Sequence, residues 1–64
     1  MVEHAAREVV KMLKKNGFRE ESVRGDHHKF TNSTGTVVIV PYSSLKSDIY
    51  PGTYNAILRQ AGLK

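Results

Sequence analysis

The chain has no cysteine and no tryptophan. Disulfides therefore cannot staple it, and it has no thiolate to bind zinc or act as a nucleophile. Aspartate is scarce. Asp26 and Asp48 are the only two and lie far apart in sequence, which does not suit a two-metal nuclease centre. No cluster of histidine, aspartate and glutamate has familiar metal-ligand spacing, and no glycine loop of the phosphate-binding type occurs. The longest aliphatic run, Val37 to Val40, is far shorter than the roughly 20 residues of a membrane helix. From Glu3 onward the N-terminus alternates charged and apolar residues, unlike the apolar centre of a signal peptide. The expectation is a soluble, cytoplasmic protein that needs no metal and no cofactor.

What is present fits one small domain spanning residues 1–64. A chain of this length buries only about 60% of its unfolded surface, so the core must be modest. Ten Lys and Arg against six Asp and Glu give a formal charge of +4. That excess favours anionic partners, nucleic acid first, although it also serves solubility.

Residues 3 to 16 have helical periodicity. Val2, Ala5, Ala6, Val9, Val10, Met12 and Leu13 form one apolar stripe. Glu3 and Glu8 come early and Lys11, Lys14 and Lys15 late, as the helix dipole favours. Asn16-Gly17 supplies the stop. Phe18 to Val23 reads as an edge strand carrying charge, and Arg24-Gly25-Asp26 as a turn. His27 to Asn32 is a second strand and Asn32 to Gly35 a turn. Thr36 to Val40, all β-branched, is a third strand ended by Pro41. Tyr42 to Tyr50 is a polar loop with three serines and Lys46. A second helix follows Pro51-Gly52, with Thr53 as N-cap and Tyr54, Ile57, Leu58 and Ala61 as its apolar stripe. The order α-β-β-β-α implies an α+β fold, a three-stranded antiparallel sheet with two helices on one face and the other face wet. Leu13, Phe30, Ile57 and Leu58 are the expected core.

Gly25-Asp26-His27-His28-Lys29-Phe30 is the stretch with chemical potential. Strand residues two apart share a face. Phe30 belongs to the core and takes His28 with it, which leaves His27 and Lys29 on the open face. An imidazole titrates near pH ~6.5 in peptides and can act as a general base. Beside an ammonium it suits an anionic substrate. RNA carries its own nucleophile, the 2′-hydroxyl, so one base and one cation suffice to cleave it. The residues alone still favour a surface histidine with no chemical role. A solvated face is likewise the more ordinary role for any one of Lys11, Lys14 and Lys15.

The chain as a whole resembles a known family. It has Leu13-Lys14-Lys15-Asn16-Gly17-Phe18, then Arg24-Gly25-Asp26-His27-His28-Lys29-Phe30, then Val37-Val38-Ile39-Val40-Pro41, then Pro51-Gly52-Thr53, then Ile57 to Leu63. In order and spacing these are similar to the HicA-type toxins, mRNA interferases of toxin–antitoxin modules. The resemblance implies a double-stranded-RNA-binding-domain-like fold. It implies one catalytic histidine, which falls on His27, and a HicB-type antitoxin that masks it. Gly25 would permit the turn. Lys29, with some of Lys11, Lys14, Lys15 and Lys46, would contact phosphates of the RNA. Two positions depart from the family pattern. Asp26 stands where Ser or Thr is usual, and its charge would repel phosphate. Tyr42 stands where His is frequent. The alternative to a nuclease is a non-catalytic RNA-binding or regulatory protein-binding module of the same fold.

Overall fold

The computed structural model describes residues 4–63. Val2 and Glu3, assigned above to the first helix, lie outside the described residues. The elements are β1 (His4–Ala5), α1 (Ala6–Lys15), β2 (Arg19–Arg24), β3 (His27–Thr31), β4 (Val37–Pro41), β5 (Asp48–Ile49) and α2 (Pro51–Ala61). Strands β2, β3 and β4 form the expected antiparallel sheet in that order.

Helix α1 is shorter than its apolar periodicity suggests. His4 and Ala5 pair instead with Ile49 and Asp48 as a two-stranded ribbon. The loop from Tyr42 to Tyr50 thus contains a strand that its composition hides. That loop also supplies backbone acceptors to the start of α1. The Ala6 N–H donates to the Ser47 carbonyl at 2.7 Å and the Arg7 N–H to the Leu45 carbonyl at 3.0 Å. The Glu8 carboxylate reaches back to the Ala5 N–H at 3.0 Å. These bonds satisfy donors that a helix start otherwise leaves orphaned. They fix the helix start at Ala6.

Helix α2 starts at Pro51, with Tyr50 rather than Thr53 as its N-cap. Proline needs no partner for an N–H it lacks, and its ring presets the helical φ. At the far end Gly62 takes φ 74. The Gly62 N–H bonds to the Arg59 carbonyl and the Leu63 N–H to the Leu58 carbonyl, a Schellman stop.

Ala6, Val9 and Leu13 of α1, Ile57 and Ala61 of α2, and Phe30, Val38 and Val40 of the sheet form one buried cluster with Phe18, Tyr42 and Ile49. Both helices therefore cover the sheet face that bears Phe30. Leu58, expected in the core, is partly buried at its edge rather than fully buried. At about 100° per residue, Ile57 and Ala61 straddle the centre of the buried stripe while Leu58 falls at its margin. Val37 and Ile39 alternate outward with Val38 and Val40 inward, so the second sheet face is open.

Candidate active site on the open sheet face

The open face is built by register. In the β2–β3 hairpin Arg24 pairs with His27 and Ser22 with Lys29. Across β4, Lys29 pairs with Ile39. Directly opposed residues share a face, with Cβ atoms roughly 5 Å apart. Ser22, Arg24, His27, Lys29 and Ile39 accordingly line one solvent-open cavity of about 260 Å³. The hairpin loop holds only Gly25 and Asp26. Gly25 has φ 60, and among the described residues only glycines have positive φ. That matches the type II′ turn, which wants glycine first and which twists in the sense of the flanking strands. Gly25 has no side chain to offer the cavity. It acts by setting the register that brings Arg24 opposite His27.

His27 is 65% exposed, with Nδ1 3.3 Å from Asp26 Oδ1. Lys29 Nζ lies 3.1 Å from Glu21 Oε1. Glu21 can reach it because β2 carries a bulge between Glu20 and Ser22. The extra residue breaks the alternation. Glu20 then falls opposite Phe30, on the covered side, while Glu21 serves the open one.

Behind the cavity the covered side is organised by His28. Its Nδ1 meets Glu20 Oε2 at 2.9 Å and its Nε2 meets the Tyr42 carbonyl at 2.9 Å. Both ring nitrogens thus have polar partners, with the donor at each set by the tautomer. The ring also stacks on Tyr42, with centroids 3.6 Å apart and planes at 4°. The Tyr42 N–H donates to the Asp26 carbonyl at 2.8 Å. His28 and Tyr42 together therefore tie the hairpin turn, and with it His27, to the end of β4. At the position where the family pattern often has His, this chain has a tyrosine that packs and braces.

Tyr42 is buried and its hydroxyl donates to Glu20 Oε2 at 3.3 Å. Burial, then the Glu20 charge and hydrogen bond, raise its phenol above the ordinary value of 10.0. The folded chain thus holds a proton that the unfolded chain releases above that pH. This contribution to stability is intact below pH 10 and is lost as pH rises through the folded value. Urea melts at rising alkaline pH should show wild type losing stability more steeply than Tyr42→Phe. Equal slopes would mean the phenol does not titrate differently in the two states.

The structure brings Lys29 and Gly25 to His27, but not the other expected phosphate contacts. Lys11, Lys14 and Lys15 are exposed on α1, which packs on the opposite face of the sheet. Lys46 sits in the loop that caps the start of α1. Arg24 and Ser22 are cavity residues that the sequence reading placed in a turn and an undistinguished edge strand. The signal available was the loop itself. Gly-Asp as a two-residue hairpin loop forces its flanking residues, Arg24 and His27, into a pair. Among the described residues, no three His, Asp or Glu side chains are grouped to hold a metal. No described helix is long and apolar enough to cross a membrane.

A family model described as HicA toxin of bacterial toxin-antitoxin matches residues 6–63. No curated protein matches the chain.

Proposed function

The chain belongs to the HicA toxin family of bacterial toxin–antitoxin systems, which implies an antitoxin partner, and we propose that it is a metal-independent endoribonuclease cleaving mRNA with His27 as general base. One observation carries this reading. An accessible imidazole shares an open cavity with two cations, Arg24 and Lys29. Nδ1 of His27 is turned to Asp26, which leaves Nε2 for substrate. Nε2 takes the proton of the 2′-hydroxyl and O2′ attacks the adjacent phosphorus. The cations stabilise the charge that gathers on the phosphorane oxygens. The 5′ oxygen leaves and takes up a proton, so the products carry a 2′,3′-cyclic phosphate and a free 5′-hydroxyl.

The test is cleavage of an RNA with chelator present, beside the same sequence made with 2′-deoxyribose. The RNA should be cut and the deoxy strand should resist, because its attacking atom is missing. Cutting of the deoxy strand would end this mechanism. A HicB-type antitoxin should cover His27 and the open face, with acidic groups where it meets Lys29 and Arg24. A complex that leaves His27 accessible would require inhibition by another route.

Asp26 supports a quantitative expectation. A carboxylate about 6 Å from a bound phosphate costs roughly 0.7 kcal/mol at the dielectric constant of water, about threefold in affinity. Asp26→Ser should therefore leave cleavage equal or up to about threefold faster. A tenfold loss would instead show that Asp26 orients the imidazole.

A further inference from the structure

The cavity holds three groups able to carry positive charge, and they are not equally available. Lys29 Nζ is engaged by Glu21 at 3.1 Å. The His27 ring has the Asp26 carboxylate 3.3 Å from Nδ1. Arg24 is exposed and, among the described residues, has neither an ion pair nor a side-chain hydrogen bond. It has no packing role either, since its strand β2 is exposed along its whole length. Yet its backbone is fixed, one residue from a two-residue turn and directly across from His27. A long cation with nothing to bind, held rigidly opposite an accessible imidazole, is placed for a ligand.

We propose that Arg24 anchors the scissile phosphodiester of the RNA, and that Glu21 is a built-in competitor that withholds Lys29 from the same phosphate. This rests on the nuclease reading above and assigns the phosphate its first contact. The planar guanidinium presents paired N–H donors that match two phosphate oxygens, a geometry that a lysine ammonium does not reproduce. Opposed Cβ atoms roughly 5 Å apart place Arg24 and His27 side by side on the wall of one open cavity, where both can reach one phosphate. The Ser22 hydroxyl, lining the same cavity beside Arg24, can donate to a third oxygen. Glu21 owes its reach to the β2 bulge, so the bulge itself limits how much cation the resting site displays. Lys29 joins the phosphate only as Glu21 lets go.

The experiment separates binding from cutting. A short oligonucleotide with every 2′-hydroxyl methylated cannot be cleaved by this route, and its affinity is measured across a salt series. It is bound to wild type, Arg24→Gln, Arg24→Lys, Glu21→Gln and His27→Ala, with unmodified RNA cleaved by each in parallel. Arg24→Gln should weaken binding about tenfold, the scale of a charge-assisted hydrogen bond. It should also flatten the salt slope by about 0.7, one phosphate contact on a single strand. Arg24→Lys should restore the slope but not the full affinity. Glu21→Gln should tighten binding severalfold by releasing Lys29. Thermal melts of these exposed variants should match wild type. Unchanged affinity and slope in Arg24→Gln, with cleavage still dependent on His27, would overturn the anchor and leave the nuclease reading standing. Arg24-dependent binding with no cleavage by wild type would keep the anchor and discard the nuclease.

Discussion

Replacing His27 by alanine should lower the rate of RNA cleavage by about 10²–10⁴, the usual worth of a positioned general base. The substitution removes an exposed side chain from the open face and touches none of the buried cluster. Stability should therefore change little, and the melting temperature serves as the control. Binding of a methylated RNA should also change little, because the cavity keeps Arg24 and Lys29. The loss should appear in kcat rather than in affinity, since the proton transfer occurs only in the transition state. His28→Ala must behave differently although it is the neighbouring residue. It deletes the ring that stacks on Tyr42 and bridges the Glu20 carboxylate to the Tyr42 carbonyl. Its first effect is on folding and on the brace behind the turn. The contrast between adjacent histidines is the strict form of the test. Full activity in His27→Ala would leave a binding module as the better reading of the same face.

Much of this arrangement was legible before any coordinates. The alternation of β3 follows from Phe30, a residue with no place on a wet surface, and it puts His27 outside and His28 inside. Val37 to Val40 could be little but a strand, and the stripe through Ala6, Val9 and Leu13 little but a helix face. What escaped the sequence has physical causes. A two-residue strand such as His4–Ala5 has no periodicity, and its pairing to Asp48–Ile49 is a tertiary event. A bulge leaves no pattern when both residues involved are glutamates. Glu20 and Glu21 look interchangeable until one is found against His28 and the other against Lys29. Leu58 fits the helical spacing, but it falls at the margin of the buried stripe and is partly rather than fully buried. Arg24 was missed by treating the turn as three residues long. The chemistry of the site therefore depended on a register that composition could not supply.

Phe30→Ala should remove a third or more of the stability of the fold. Phe30 is fully buried and heads the largest buried side chains of the core. It pairs with Val38 and Glu20 in the middle of the sheet and belongs to the same buried cluster as Leu13, Val9 and Ile57. Truncating such a ring costs about 3–5 kcal/mol, part for lost transfer and part for the cavity left behind. At 0.05–0.15 kcal/mol per residue, a chain of 64 residues has about 3–10 kcal/mol in all. The urea midpoint of the variant, followed by circular dichroism, should fall by at least a third. Val37→Ala supplies the control on the same sheet. Val37 is 44% exposed on the open face, so its truncation should change stability by well under half as much. The comparison also tests the placement of the candidate base. Strand side chains alternate strictly, so a slip of one residue that exposed Phe30 would carry His27 into the covered layer. If Phe30→Ala proves mild while Val37→Ala is severe, the sheet faces are reversed. The cavity that joins His27 to Arg24 would then not exist.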